Sequence, residues 1–492
     1  MEKTSTDEAR RFELALRPVE KPPTIEEVLE QVSTRGVLRG PVDWVFPAWM
    51  LYVEYATQEI MKTFQLTEEE RSQLLDFRDA MKQLLLEAWR QAKEELASIY
   101  KAVVDGTYRM EGNRLYAPDG AWMYVREGFA PRIIIHGVTA KTRFPDVLKL
   151  PRERLELLQL GWRASDEGNE KGRPFMGTTQ PWQVFAWVAT RYGALYINIT
   201  SANLTREGVS VAVHLSANSW RQRWSKDEAV DLVASYLRRG EWTPLLTMWL
   251  GDGKAERKKV LQGKYKIVIA AKEPWRLGTS VGTRKAVVAK GKEAFRRLRE
   301  SASVYGELLD LLKAYKWIEI KLATDDAFRA AYKLKARKRS IDVLREAYGQ
   351  NAGKTPTEFS HMERPRRGAV AVMGVMMSLY LVGGQGVSLL AGRYVRDVGK
   401  ALAIAGRLEA AGLRPNVARV GSYYMVYIAT TDLLRFGREG RSRQEGHSAV
   451  SSREGQERHA EAEGNRRKDP EETSPFSPSN SHRFLEIGIS AR

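Results

Sequence analysis

The spacing of apolar residues changes several times along the chain, and each change predicts a different kind of secondary structure. Between residues 26 and 105, apolar positions recur every three to four residues, which predicts helices. Thr67 and Glu70 have the spacing of a capping box, a pattern that begins helices. Residues 1–25 are charged and proline-rich, and we expect them to form a flexible arm before this helical region.

Residues 106–225 change to the short alternating runs typical of strands. The segment 108–124 alternates aromatic and polar residues around Pro-Asp-Gly, which predicts a hairpin. We therefore expect an α+β domain here, followed by a helix at Lys226–Arg239. Its further strands are predicted at Arg132–Val138, Ala194–Thr200 and Gly208–Ser216.

Residues 226–350 are predicted to form a domain with the element order αββαβα. It begins with the apolar stretch "LLTMWLGDGK", Leu245–Lys254. The strands that follow are predicted at Lys264–Ala271, Arg284–Lys290 and Lys316–Ala323, and the later helices at Lys292–Tyr315 and Asp325–Tyr348.

A second, degenerate α/β unit is predicted over residues 368–436. It comprises a strand region at Ala369–Val382, a helix at Ser388–Ala411 and a hairpin that turns at Gly421–Ser422. Residues 437–492 lose all periodicity, and we expect a disordered tail. Because a shifted reading of the tail can encode a well-patterned helix, we hypothesise a frameshift near Phe436, which the gene's nucleotide sequence would decide.

Composition narrows the class of protein. Cysteine is absent, which excludes disulfides and thiolate chemistry. The apolar runs are shorter than the ~20 residues of a membrane span, and the N-terminus lacks a signal-peptide pattern, so we expect a cytoplasmic protein without membrane contact. Of the formal charge of +18, an excess of 14 lies between residues 251 and 345, with 25 Lys/Arg against 11 Asp/Glu.

This local excess of positive charge predicts a polyanion as partner, because clustered Lys and Arg displace counterions from a phosphate backbone. DNA is therefore the expected partner. A surface rich in ion pairs is the alternative, but the matching acids are missing from this stretch. The candidate phosphate contacts are Lys254, Arg257, Lys258, Lys259, Lys264, Lys266, Arg284, Lys285, Lys333, Lys335, Arg337, Lys338 and Arg339.

Asp252 is the candidate catalytic and metal-binding residue. It lies at the C-terminal end of a predicted buried helix, where the helix dipole disfavours a carboxylate. A divalent cation reverses that preference, because it binds the carboxylate and tolerates nearby carbonyl oxygens. Gly253 suits a left-handed helix cap, and Gly251 leaves room for another backbone. A buried helix that simply ends in an Asp-Gly turn is the structural alternative.

The stretch Leu245–Gly253 resembles the LAGLIDADG motif of homing endonucleases, especially the intein variant "LLGLWLGDG". The resemblance implies two packed helices that each deliver one acid to a shared nuclease centre requiring Mg²⁺ or Mn²⁺, with basic strands on DNA. Asp252 matches the metal ligand, whereas Thr247 stands in place of a small glycine. The closest candidate for a second motif, Ser378–Gly386, offers Gln385 instead of an acid and fits a strand better, so catalysis is expected to need a homodimer.

A longer stretch, from about Tyr108 to Phe436, resembles the crenarchaeal PaRep repeat-element proteins, second group, b form. The segments "LLTMWLGDGKAERKKVLQGKY" and "RYVRDVGKALAIAGRLEAAGLRPNVARVGSYYMVYIATTDLL" carry this resemblance. It implies an archaeal mobile-element relic as readily as a working nuclease.

Two functional hypotheses follow. The first is a DNA-binding protein derived from a LAGLIDADG homing endonuclease, either active or catalytically inactive. The alternative is a non-catalytic DNA-binding or element-maintenance protein in which Asp252 is structural. Lys316 or Lys321 is a candidate for the centre, while His136 and His214 have no partner at metal-ligand spacing and are expected to be structural.

Overall fold

The protein is an α+β protein with two compact units. The structure, a computed structural model, describes residues 10–126, 128–281, 283–333, 369–382, 388–420, 422–429 and 432. The first unit comprises residues 1–329 and the second residues 330–492. The domains predicted at 106–225 and 226–350 are not separate: residues 106–329 belong to one compact unit, because elements from both ranges pack on each other.

The first unit begins with four helices: α1 (10–16), α2 (Ile25–Arg35), α3 (Val42–Thr63) and α4 (Glu68–Val104). The helical prediction is confirmed, including the capping box of Thr67 with Glu70. The prediction of a flexible arm is wrong for residues 10–16, since α1 buries Phe12 and Ala15 against the rest of the unit. Residues 1–9 lie outside the described residues.

A nine-stranded antiparallel sheet follows, in the order β1-β2-β3-β4-β8-β9-β7-β6, with β5 also paired to β8. The alternating pattern predicted the hairpin around Pro-Asp-Gly, which β2 and β3 form, and the long strands β8 and β9. The strands are β1 (Arg109–Glu111), β2 (Arg114–Tyr116), β3 (Trp122–Tyr124), β4 (Arg132–Ile134), β5 (Thr139–Phe144), β6 (Gly168–Glu170), β7 (Arg173–Thr178), β8 (Gly193–Thr205) and β9 (Gly208–Ala217).

Three helices alternate with the last four of these strands. They are α5 (Arg152–Ala164), α6 (Pro181–Thr190) and α7 (Lys226–Arg238). The chain therefore runs helix, hairpin, helix, hairpin, helix from α5 to α7. Helix α6 is buried along its whole length. The periodicity of a sequence alone does not distinguish such a fully buried helix from a buried strand.

The apolar motif forms α8 (Thr243–Asp252), and α9 (Arg257–Leu261) follows. A small sheet of β10 (Lys266–Ala270), β11 (Thr279–Ser280) and β12 (Lys285–Lys290) confirms the predicted pair of strands. The unit ends with α10 (Lys292–Ala302), α11 (Val304–Leu311), α12 (Tyr315–Thr324) and α13 (326–333).

The predicted order αββαβα is wrong in the part after β12. The segment predicted as the strand Lys316–Ala323 is helix α12. Seven of its ten residues are buried, so other elements cover the helix on several sides and its apolar residues do not follow the helical period. The single helix predicted at Lys292–Tyr315 is divided at Ser303, whose φ of 48° interrupts the helical backbone.

From residue 369 on, the described residues of the second unit form a five-stranded antiparallel sheet, in the order β13-β14-β15-β17-β16, together with a helix. The helix predicted at Ser388–Ala411 is wrong over its first eight residues, which form β15, because pairing with β14 and β17 prevails there. The elements are β13 (Ala369–Val372), β14 (Val375–Val382), β15 (Ser388–Val395), α14 (Val398–Ala410), β16 (Asn416–Val420) and β17 (Tyr423–Ala429). The predicted tail, residues 437–492, lies outside the described residues.

Four strands of the nine-stranded sheet and four strands of the five-stranded sheet share one topology. In the first unit, hairpins β6–β7 and β8–β9 flank α6, and β7 pairs with β9. In the second unit, hairpins β14–β15 and β16–β17 flank α14, and β15 pairs with β17. The second unit thus repeats a hairpin-helix-hairpin arrangement found in the first. Across the described residues, no helix has the length and apolarity needed to cross a membrane.

Candidate functional site

Helices α5 and α8 pack with their backbones in close approach. A Cβ at Gly161 would collide with the carbonyl oxygen of Pro244 and the hydroxyl of Thr247, so only glycine permits this packing. The Thr247 hydroxyl donates a hydrogen bond to the Leu158 carbonyl at 2.8 Å across the interface. Thr247 therefore fits a close interface, because α5 supplies the glycine.

A local two-fold relation connects the two helices. Gly161 and Thr247 each lie five residues before an aspartate, Asp166 and Asp252, and they meet in the interface. Ser165 and Gly251, one residue before each aspartate, also meet, since a Cβ at Gly251 would strike the Ser165 side chain. Asp252 ends α8 and Asp166 follows α5 by two residues, so the packing brings both acids to one place.

Asp166 lies close enough to Asp252 to oppose its ionisation. Burial raises the pKa of Asp252 to about 6, and the neighbouring charge of Asp166 together with their shared hydrogen bond adds to this rise. Lys226 and Lys316 act in the opposite direction and favour the carboxylate form of Asp252. The site thus brings two acids together, with two lysines whose charges act on Asp252.

The two lysines occupy matching positions. Lys226 at the start of α7 donates to the Ser165 carbonyl, and Lys316 at the start of α12 donates to the Gly251 carbonyl. Each lysine therefore binds the carbonyl immediately before one aspartate, at the negative end of α5 or α8. Burial lowers the pKa of Lys316, while Asp166, Asp252 and Glu319 raise it. These cations offset the unfavourable dipole that the sequence indicated at Asp252.

Asp166 is held by a network of buried polar groups. Gln183 of α6 donates to its carboxylate at 2.6 Å and accepts from Thr178 at 2.5 Å. The next residue, Glu167, is fully buried and pairs with Arg191 at 2.7 Å. Trp187 and Gln222 also donate to Glu167, at 2.8 Å and 2.7 Å. This network fixes the backbone that presents Asp166.

A cleft of about 370 Å³ opens beside Asp166 on one face of the large sheet. Its walls include the end of β7, the start of α6 and the central part of β9. His214 lies in this cleft, stacked on Phe175 with ring centroids 4.9 Å apart. Asp166 therefore borders an open groove rather than a sealed core.

The residues that follow α8 pair directly with the small sheet of β10, β11 and β12. Gly253 forms a bridge to Ile269, and the Lys254 amide donates to the Val268 carbonyl at 2.8 Å. The predicted left-handed cap at Gly253 is wrong, because its φ is −67° and its ψ 140°, an extended conformation that joins β10.

The predicted phosphate contacts fall into three groups. Lys254 and Lys259 pair with Glu256 at 3.1 Å and 2.9 Å, and Arg257 donates to the Tyr315 carbonyl and stacks on its ring, so these three have internal partners. The exposed cations are Lys258, Lys264, Lys266, Arg284, Lys285 and Lys333. Lys335, Arg337, Lys338 and Arg339 lie outside the described residues.

The sequence analysis placed no acid of the same chain beside Asp252, whereas the packing of α5 and α8 brings Asp166 next to it. Asp166 was missed because α5, "RERLELLQLGWRA", begins with charged residues and lacks the apolar surface of α8. The available signal was a second helix that ends in an acid, with Gly161 five residues before it. The homodimer was inferred from a missing second acid, and that premise does not hold.

The structure places the remaining candidates, Lys316, Lys321 and Gln385, differently relative to the acids. Lys316 lies at the centre, whereas Lys321 pairs with Asp310 at 2.6 Å. Gln385, weighed as a partner for Asp252, lies outside the described residues, and the segment Val375–Val382 before it is strand β14, as predicted. No family model matches the chain, and neither a curated protein nor a solved structure is significantly similar to it.

Proposed function

We propose that the protein is a LAGLIDADG-like DNA-binding protein whose first unit carries a complete two-acid nuclease centre within one chain. The observation that supports this most strongly is the pairing of Asp166 with Asp252 at the ends of two packed helices. Burial and mutual repulsion both disfavour two carboxylates at one place. Such a pair is therefore more useful for binding a cation than for stabilising the fold.

The donor set suits a hard divalent cation. The described residues contain no group of three or more His, Cys, Asp or Glu arranged for a metal, so two carboxylates are the protein's acidic contribution. Mg²⁺ is commonly held by one or two carboxylates, with water and substrate phosphate completing its shell. When bound, Mg²⁺ or Mn²⁺ supplies Lewis acidity to a phosphodiester.

The side chains around the acids have separate roles in this proposal. Gln183 orients Asp166 through its 2.6 Å hydrogen bond. Lys226 and Lys316 favour the ionised form of Asp252 and would place positive charge where a cleaved phosphodiester gains negative charge. The cleft beside Asp166 admits substrate from the face of the large sheet.

The small sheet of β10, β11 and β12, which joins the end of α8 at Gly253, supplies the proposed contact with DNA. Register places Lys266 directly opposite Lys290, and Lys285 opposite Ala270 on the same face. Like charges directly opposite each other on strands are destabilising. A phosphate backbone along this face would offset the repulsion, which supports DNA as the partner.

The test is metal-dependent cleavage of duplex DNA by the purified protein. Asp166→Asn and Asp252→Asn should each abolish cleavage with Mg²⁺ or Mn²⁺ while leaving DNA binding in place. Lys321→Gln, a change on the same helix as Lys316 but away from the acids, is the matched control and should retain activity. Cleavage that survives either aspartate substitution would exclude this centre.

One observation favours the alternative of a non-catalytic DNA-binding protein. The two acids and two lysines form a set with no net formal charge, and both lysines already donate to backbone carbonyls. In that case Mn²⁺ titration would give no binding that depends on Asp166 or Asp252, although DNA would still be retained.

A further inference from the structure

Strands β1 to β4 extend the large sheet away from the candidate centre, and their exposed face carries arginines stacked on aromatic rings. Arg109 lies over Tyr116 at 5.4 Å, and Arg114 over Trp122 at 4.7 Å. Arg132 lies over Tyr124 at 4.9 Å. We call these three arginines and three aromatic residues the arginine ladder.

Strand register places the whole ladder on one face. Arg114 is opposite Tyr124, Tyr124 is opposite Arg132, and Arg132 is opposite Asn203 of β8. Arg109 is likewise opposite Tyr116, which is opposite Trp122. Because directly opposed residues share a face, the arginines and rings form two rows across the strands.

That face is the one on which the cleft opens. Ile134, two residues after Arg132 and thus on the same face, is opposite Ser201 of β8. Ser201 is in turn opposite Ala212 of β9, which lines the cleft beside Asp166. The ladder and the candidate centre are therefore joined by one continuous sheet surface.

The opposite face explains why this extension is firmly held. Leu115, Met123 and Ile133 are buried there, and the 37-residue helix α4 contacts β3, β4, β5 and β8. Ser98 of α4 also donates to Asp119 at 2.5 Å, in the turn between β2 and β3. The helix thus supports the extension and the central strands together.

The charge on the ladder is largely unopposed. Among the described residues of β1 to β4, Glu111 is the one carboxylate. It pairs with Arg109 at 3.2 Å and lies opposite Arg114, so one acid faces the three arginines of the ladder. Arg114 and Arg132 are exposed and stacked on rings. Stacking on an aromatic ring restricts a guanidinium and leaves its N–H donors available to phosphate oxygens.

We propose that the arginine ladder binds the phosphate backbone of duplex DNA that flanks the cleavage site. This inference rests on the proposed function and adds a second, more distant contact. Four strand spacings of ~4.8 Å separate β1 from β8, so the extension lengthens the face by roughly 19 Å, or ~5–6 base pairs of duplex. DNA is favoured over an acidic protein because the face continues to the cleft.

The experiment measures the salt dependence of binding to a random-sequence 36-base-pair duplex without divalent metal. The variant is Arg114→Gln with Arg132→Gln. Its control is Arg152→Gln with Arg296→Gln, which removes the same charge from helices α5 and α10, where both arginines already pair with acids. Unchanged thermal unfolding midpoints would establish that both variants are folded.

If the ladder contacts two phosphates, the negative slope of log affinity against log salt should be shallower in the variant by about 1.8. With equal affinities at 1 M salt, this difference makes the variant bind ~60-fold more weakly than wild type at 0.1 M salt. The control should keep the wild-type slope. Shortening the duplex to 12 base pairs should reduce the difference between the ladder variant and wild type. This pattern would support the ladder even if the aspartate variants showed that no cleavage occurs.

Equal slopes for the ladder variant and wild type would overturn the ladder while leaving the proposed function standing. Failure of the wild-type protein to bind the 36-base-pair duplex at low salt would overturn both. Ladder-dependent binding of polyglutamate together with ladder-independent binding of DNA would assign the surface to an acidic protein instead, and would also overturn the inference.

Discussion

At the scale of single residues, Asp166 and Asp252 lie together although burial and their like charges both disfavour ionised Asp252. Asp252 lies at the unfavourable end of a helix and against a second carboxyl, and both effects oppose its ionisation. Lys226 and Lys316 offset part of this cost from opposite sides. The sequence could identify Asp252 from its odd position, but the cations come from distant elements that local patterns do not connect.

The raised pKa of Asp252 predicts a pH dependence of both stability and metal binding. Its folded pKa of about 6 exceeds the ordinary value of 3.8, so the folded protein holds the proton more tightly than the unfolded chain. The metal-free protein should therefore lose stability as pH rises from about 4 to about 6, by at most about 3 kcal/mol. Asp252→Asn should remove this loss, and thermal unfolding at pH 4 and pH 7 would measure it.

Metal binding should follow the opposite trend. Because a cation requires the carboxylate, Mn²⁺ affinity should rise with pH up to about 6 and then level off. Isothermal titration between pH 5 and pH 8 would measure this. An affinity that is constant across that range would contradict a role for Asp252 as ligand.

The two lysines should act in the same direction, since each favours the ionised form of Asp252. Replacing either Lys226 or Lys316 with Met removes a charge that favours ionised Asp252, so the pH at which Mn²⁺ binding reaches half its plateau should move upward by about 0.5–1 unit. Lys321→Met is the control and should leave this pH unchanged, because Lys321 pairs with Asp310 instead. A shift for only one lysine would argue against the two-fold relation.

At the scale of elements, the sequence predicted most helices and strands of the first unit but not how they pair. Periodicity identified α2 to α4, β8, β9 and the motif helix α8, since each has one regular pattern. It failed at α12, where burial on several sides removes the amphipathic pattern. It also missed that α5 and α8 are partners, because a glycine contact between helices leaves no local trace.

The helix pair should depend on Gly161. Gly161→Ala places a methyl group against the backbone of α8, and we expect a loss of about 1–3 kcal/mol or more in the free energy of unfolding, together with weaker Mn²⁺ binding. Gly406→Ala is the control, because a Cβ there meets no atom within 4 Å and alanine favours a helix by up to about 1 kcal/mol. Denaturant unfolding of both variants would check this, and a neutral Gly161→Ala would contradict the close packing.

At the scale of the whole molecule, the two units show how a repeated topology can hide from the sequence. The hairpin-helix-hairpin arrangement recurs in the second unit, yet β14 and β15 are longer and more apolar than β6 and β7, so no sequence period marks the repeat. The division into domains followed composition, whereas the candidate centre takes one acid from each side of residue 225. A boundary placed by composition therefore separated two halves of one site.

The proposed single-chain centre makes a prediction that a homodimer built on two copies of Asp252 does not share. With both acids in one chain, Asp166→Asn and Asp252→Asn should each be inactive, and mixing the two variants should restore nothing, because no molecule then holds both carboxylates. A centre formed by two copies of Asp252 would instead leave Asp166→Asn active on its own. The two cases are separated by measuring cleavage of duplex DNA by each variant and by their equimolar mixture. The control is wild-type protein diluted into inactive Asp252→Asn. In the single-chain case the diluted wild type should keep its activity in proportion to its own concentration, whereas subunit exchange with the inactive variant would reduce it further.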